Sequence, residues 1–476
     1  MTAPARALAR SATPLLAALG AVLLVVVGVA GCSDSLVDHR ADPEILQTPC
    51  PSGEVRCGGQ CVAEDVSHCG ATCADCAAGP PPGPDASAVC TEAHACAIEC
   101  NPGLLHSGDA CEKAVAVSAG FGHACAVAEG GGVLCWGANE HGQLGDGTVT
   151  DRAHPAAVAL PAAATALAAG FFHTCAVAGG EVYCWGDNAT GELGDGTTTS
   201  SADPVKVDGL AGASAIAAGG GPSIGPFSEY GHSCALLDTG DVRCWGGNAW
   251  GQLGAGDLLD RTRPGPAVAL PAAAQVLSVG DRHTCAIAGG ALYCWGDNQL
   301  GQVGDGSGTD QSAPALAVGA GALQVAAGAF HTCAVVDPGA GAEVQCWGGN
   351  SDGQSDAGQN TQASFATPHT VDLGSAPTPS RLAAGRAHTC VLATGVADGA
   401  TCFGSNTSSQ LGGPPAALGI GTPELPSSDD VAAGSAFGCA LRSDGGVACW
   451  GANDRGQLGR GAAGSSSGTP ALVSGR

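Results

Sequence analysis

Residues 170–196 read GFFHTCAVAGGEVYCWGDNATGELGDG, and imperfect copies of this stretch recur seven times between Gly120 and Gly461. A unit repeating every 50 residues or so, about the length of a propeller blade, cannot bury its apolar face alone, so the copies must stack into a ring, a solenoid or an array. Each copy holds four short strand-like runs parted by turn residues; in the second copy they are residues 166–169, 174–178, 181–185 and 204–207. No amphipathic helix of useful length interrupts them. Seven units of four strands predict an all-β chain, a seven-bladed β-propeller of four-stranded blades. A linear solenoid would need distinct caps, whereas the first and last copies here resemble the middle ones.

Each copy also carries one cysteine on either side of a glycine-rich turn. The pairs are Cys125 and Cys135, Cys175 and Cys184, Cys234 and Cys244, Cys285 and Cys294, Cys333 and Cys346, Cys390 and Cys402, and Cys439 and Cys449. In the second copy Gly179-Gly180 fits a two-residue primed turn, so Ala178 faces Glu181 and, counting outward, Cys175 faces Cys184. That is a non-hydrogen-bonded pair with α-carbons about 4.5 Å apart, close enough for a disulfide. Gly289-Gly290 repeats the arrangement, and the other tips are one or more residues longer. Seven within-blade cross-links are the expectation.

Ahead of the repeats, residues 1–31 have a basic start, an apolar run over residues 15–30 and small residues before Cys32, which is the grammar of an export signal. The ending VAGC resembles a bacterial lipobox, which would make Cys32 a lipidated first residue and anchor the chain in a cell envelope, at an outer membrane. Residues 32–49 read as an acidic tether and residues 50–111 as a disulfide-rich module with ten cysteines. Five disulfides are expected there, with zinc at the Cys57/Cys61 and Cys73/Cys76 spacings as the lesser reading. Residues 114–476 form the propeller. The formal charge of −26 repels phosphate backbones, so nucleic acid is excluded as a partner.

The pattern G-x-x-H-[TS]-C-A-[VL] followed by C-W-G-x-N-x-x-G-Q-L-G-x-G resembles the regulator of chromosome condensation repeat, over residues 114–476. The resemblance implies a seven-bladed propeller. It leaves activity open, since family members include nucleotide-exchange factors for Ran-type GTPases that bind chromatin, plant ultraviolet sensors and a secreted β-lactamase inhibitor. The sensor needs tryptophans beside the repeat histidine, and Phe171, Asp281, Ala329 and Arg386 stand there instead. With the leader, the resemblance points to the exported bacterial branch, a lipid-anchored monomer binding an extracytoplasmic protein. An enzyme inhibitor is the alternative, and a polysaccharide- or peptide-cleaving propeller a more distant one.

His123, His173, His232, His283, His331 and His388 precede the first cysteines, with Phe437 in the seventh copy. Ring symmetry keeps them apart, so buried structural hydrogen bonds are expected in place of a metal site. Asp146, Asp195 and Asp305 lie in GDG turns that offer one carboxylate each, which is turn chemistry and not a calcium loop. The G-x-S-x-G string at residues 221–225 lacks the strand-to-helix elbow of a hydrolase. No catalytic residue and no cofactor is therefore expected. The candidate binding site is the third copy, which alone has an insertion, residues 220–229, and gathers Phe227, Tyr230 and Trp250. Trp250 occupies a turn position assigned to His141, Thr190, Leu300, Asp352, Ser409 and Arg455 in the other copies.

Overall fold

Glycine at both central positions lets the hairpin at Gly179-Gly180 adopt φ of 61° and 77°, the signature of a type I′ turn. The register follows as counted: Ala178 pairs with Glu181 and Cys175 with Cys184. The computed structural model describes residues 54–57, 60–63, 86–90, 96–101, 103–107, 110–221, 230–359, 361–374, 378–393 and 400–474. Two compact units result, one of residues 1–79 and 90–96, the other of residues 80–89 and 97–476. In the first, Glu54–Cys57 pairs antiparallel with Gln60–Ala63.

The larger unit holds seven antiparallel sheets of three or four consecutive strands, beside the two-stranded pairing of Leu105–Ser107 with Ala110–Glu112. The second blade is typical, with Ala164–Ala169 innermost, then His173–Ala178, Glu181–Gly186 and Ser201–Lys206. Burial falls outward: the second strand is buried throughout and the fourth largely half-exposed or exposed. Six blades have four strands. The third has three, Ala213–Gly221, Tyr230–Leu237 and Val242–Gly246, where four were expected. Its outer run contains Pro264 and Pro266, which cannot donate to a ladder. Scattered bonds replace the strand: Arg261 and Gly246 exchange backbone hydrogen bonds, and the Gly265 and Val268 amides donate to Cys244 and Val242.

All seven cysteine pairs of the repeats are disulfide-bonded within their blades. Cys125 is joined to Cys135 with α-carbons 4.0 Å apart. The α-carbons are 4.1 Å apart in the other six, where Cys175 is joined to Cys184, Cys234 to Cys244, and Cys285 to Cys294. Cys333 is likewise joined to Cys346, Cys390 to Cys402, and Cys439 to Cys449. These spacings are somewhat shorter than the expected 4.5 Å or so. The longer tips leave the pairing intact: Cys333 faces Cys346, Cys390 faces Cys402 and Cys439 faces Cys449 across their strands. Among the described residues of the cysteine-rich segment, Cys100 is bonded to Cys111. Cys32 and residues 1–49 lie outside the described residues.

The repeat histidine and tryptophan join blade to blade. His283 Nε2 lies 2.8 Å from the Thr332 hydroxyl of the next blade, and that hydroxyl donates to the Gln302 carbonyl at 2.8 Å. The Trp347 indole N–H donates to the same carbonyl at 2.9 Å. Because the hydroxyl's proton goes to the carbonyl, the imidazole is the donor, which sets the neutral Nε2–H tautomer. The same lock joins His123 to Thr174, His173 to Ser233, His232 to Thr284 and His331 to Thr389. Burial pushes His123, His232, His283 and His331 down to about 3, and His173 and His388 to about 4.

The lock fails where its residues do. Gly438 gives His388 no hydroxyl, and at the ring closure Phe437 and Ala124, both fully buried, replace the polar pair. There Trp136 still donates to Gln457. Leu105, Val117, Trp136, Phe437, Leu441 and Val473 share one core cluster. Residues ahead of the first blade thus help close the ring.

Candidate functional site

Strand direction sorts the loops onto two faces. First strands end, and third strands turn, on one face; the hairpin tips with Gly179-Gly180 lie on the other. The first face carries the residues before the repeat histidines and the G-Q-L-G turns, and the copies differ there most. Each turn is held by an asparagine and, in six of the seven copies, a glutamine, with Glu192 in its place in the second: Asn139 Oδ1 accepts from Leu144 N, and Gln143 Oε1 from His141 N. The same glutamine contact picks out Thr190 (to Glu192), Trp250, Leu300, Asp352, Ser408 and Arg455 in the other copies. Ser408 and not Ser409 is therefore the equivalent of Trp250; Ser409 takes the glycine place with φ of 64°. The GDG aspartates are turn caps, as Asp146 shows by accepting from the Thr148 amide and hydroxyl and from Arg152.

Trp250 is half-buried, with the Arg282 guanidinium 4.6 Å over its ring and 5.3 Å from that of Phe330. Arg282 also faces Asp297 at 3.6 Å. The indole is partly spent on clamping a cation, worth about 0.5–2 kcal/mol. Tyr230 opens the strand Tyr230–Leu237, while its side chain and Phe227 lie outside the described residues. Residues 222–229 of the insertion do too.

A second aromatic cluster escaped the sequence reading. Phe121 and Phe171 have ring centroids 4.1 Å apart, Phe172 meets Phe171 edge-on at 4.3 Å, and His141 stacks on Phe172 at 4.2 Å. His141 Nδ1 lies 3.7 Å from Asp187. Burial raises the Asp187 pKa, but the hydrogen bond and charge of His141 and a bond from Ser200 outweigh it and leave the carboxyl below its usual value. Three of the chain's eight phenylalanines fall in these two copies beside the repeat histidines, which was the available signal. From Phe121 and Phe172 a groove of about 470 Å³ runs to Ser408 and Arg455. Arg455 is paired with Glu140 and with Asp151.

At the axis, the small-residue ends of the first strands surround a funnel of about 80 Å³. Phe121, Phe171, Asp281, Ala329, Arg386 and Ser435 form its mouth. Burial pushes the Asp281 carboxyl up to about 7, opposed by Arg386 and then Arg282. Among the described residues, no three His, Cys, Asp or Glu side chains converge as a metal site, and the paired repeat cysteines are all in disulfides. The face is thus aromatic, grooved and rigidly held, a surface fitted for contact.

Two models of the regulator of chromosome condensation (RCC1) repeat match the chain, one over residues 114–143, 164–192, 230–252, 323–354 and 429–457, the other over 130–177, 179–224 and 289–335. The zebrafish E3 ubiquitin-protein ligase MYCBP2 is 47% identical over 66 residues, 13% of this chain and 1% of its own length. The chain thus spans a very small part of that relative. Human WBSCR16 matches in fold with a TM-score of 0.62 at 20% identity, covering 72% of this chain and 93% of its own. Yeast Prp20p, described with its binding to Gsp1p and histones, gives a TM-score of 0.60 at 19% identity over 76% of this chain and 87% of its own.

These relatives come from fish, human and yeast, and they overturn the expected exported bacterial branch. The lipoprotein and signal-peptide assignment, the envelope location, the lipid anchor and the extracytoplasmic partner are corrected with it. So is the exclusion of a Ran-type GTPase, which rested on export. The likeness to Prp20p is one of fold. The segments that match the RCC1 repeat, all within residues 114–457, lie in a seven-bladed β-propeller.

Proposed function

We propose that this chain is a non-catalytic protein-binding scaffold whose partner docks on the face carrying the Phe121–Phe171–Phe172 cluster and the groove toward Arg455. The observation that carries the reading is the division of labour among the copies. Residues common to them are consumed by the inter-blade locks, and Phe121, Phe171, Phe172, Trp250 and Phe330, outside that set, lie on this one face. Aromatic anchors on loops of a rigid scaffold are where binding energy concentrates. A groove of this size beside partly exposed phenylalanine admits a side chain or a loop of a partner.

The first partner class to test is a Ran-type GTPase, by likeness to Prp20p and its binding of Gsp1p. The full chain is titrated with such a GTPase by calorimetry, alongside Phe121→Ala, Trp250→Ala and Glu129→Ala, the last on a hairpin tip of the opposite face. Saturable binding weakened by about 2 kcal/mol in Phe121→Ala and Trp250→Ala, and unchanged in Glu129→Ala, supports the reading. No binding excludes this partner class. Binding weakened only by Glu129→Ala places the interface on the wrong face.

A further inference from the structure

A site that shares Phe121 and Phe171 with the docking face lies at the axis. Equivalent positions around the channel mouth hold Phe121, Phe171, Asp281, Ala329, Arg386 and Ser435 in six of the seven blades. The mouth is therefore two-sided: paired phenyl rings come from the first and second blades, and opposite them a carboxylate and a guanidinium flank Ala329 on the fourth and sixth. Asp281 Oδ2 is buried and has no hydrogen-bond partner among the described residues. Among those residues Arg386 makes no hydrogen bond and no ion pair within 4.0 Å either, although it is close enough for its charge to act on Asp281. A buried carboxylate oxygen without a donor is costly, and such atoms in native structures call for an explanation.

We propose that this mouth binds a small zwitterion, a free α-amino acid with an apolar side chain, its ammonium on Asp281, its carboxylate on Arg386 and its side chain against Phe121 and Phe171. The ammonium supplies the missing donor. The carboxylate suits a guanidinium fork, and an apolar body covers the Phe121 ring, which is 37% exposed. The funnel below the mouth is about 80 Å³, so the ligand sits at the mouth and not within the channel. Ala329, between the two charges, leaves room for the ligand's backbone. An ammonium alone would leave Arg386 unanswered, and a carboxylate alone would leave Asp281 so. The small-residue walls below the mouth offer no further charge that would select a longer ligand.

The experiment uses the full chain with L-phenylalanine, its N-acetyl derivative and its amide, followed by calorimetry and ligand-observed NMR. L-Phenylalanine should bind and saturate, while each blocked derivative should lose at least about tenfold in affinity, the order expected for one charged hydrogen bond. Asp281→Asn should lose a similar factor for the free amino acid and little for the N-acetyl form, and Arg386→Gln should do so for the free amino acid and little for the amide. Thermal melts of both variants identify any that fail to fold, and the blocked-ligand comparison on the unaltered chain stands without them. Absence of L-phenylalanine binding, equal affinity for free and blocked forms, or unchanged affinity in both variants would overturn the assignment. Because no protein partner takes part, failure here leaves the docking face untouched, and failure there leaves this site untouched.

Discussion

At Ser409 a serine stands where six other copies of the turn hold glycine, and its φ is 64°. A side chain in that region costs about 1–2 kcal/mol against glycine. Ser409→Gly should therefore stabilise the chain by about 1 kcal/mol in urea unfolding, and a loss of stability would show that the serine side chain has a compensating contact. The histidines make an opposite kind of prediction. An unfolded imidazole titrates near 6.5, while the six buried ones are held down to about 3 to 4. Their neutral form contributes stability that is present above pH 6.5 and lost as pH falls toward 4. Glu192 and Asp281 are pushed up to about 7, chiefly by burial, and act the other way between about 4 and 7. Six groups outweigh two, so the urea midpoint should fall from pH 7 to pH 5; a flat or rising profile contradicts the buried tautomer assignment. Their structural role was legible from the sequence through Phe437, which can pack but cannot ligate.

Within a blade, turn length and strand period together decide the cysteine pairing. Gly179-Gly180 and Gly289-Gly290 gave the register by counting, because a side-chain period of two leaves one pairing across a two-residue turn. Each disulfide closes a short loop, 9 residues apart for Cys285–Cys294 and 13 for Cys333–Cys346, so its contribution lies near the low end of about 2–4 kcal/mol. Replacing both cysteines of one blade by alanine should cost about 2–3 kcal/mol with the ring intact by near-UV circular dichroism. A change under about 0.5 kcal/mol would mean that strand pairing alone fixes the hairpin. The three-stranded third blade was less legible. Pro264 and Pro266 are visible in sequence, yet whether a proline run ends a strand or edges it depends on bonds such as Val268 to Val242 that only the fold supplies. The aromatic cluster was missed for a related reason. Phe121 is a full repeat away from Phe171 and Phe172 in sequence, and only ring geometry brings its phenyl group within 4.1 and 5.8 Å of theirs.

For the whole molecule, the open question in any ring is what holds its ends. Here each blade is built from consecutive strands, so closure depends on side chains and backbone bonds between the seventh and first blades. Trp136 donates to Gln457, Ser435 N to Gly120 and Ala114 N to Gly445, and Leu105 inserts from before the first blade at 1% exposure. Leu105→Ala should cost about 2–5 kcal/mol, as for a buried core leucine. A cost below about 1 kcal/mol would show that the ring closes without that segment. Location and partner were read from the leader and not from the ring, and there the named relatives required correction. On this reading, shared residues hold the ring while divergent ones on a single face bind protein. Hydrogen–deuterium exchange of the full chain with and without a bound Ran-type GTPase tests it most directly. Protection confined to the loops around Phe121, Phe172, Trp250 and Arg455, with the hairpin tips at Gly179 and Gly289 unchanged, is the predicted result; protection centred on those tips would contradict it.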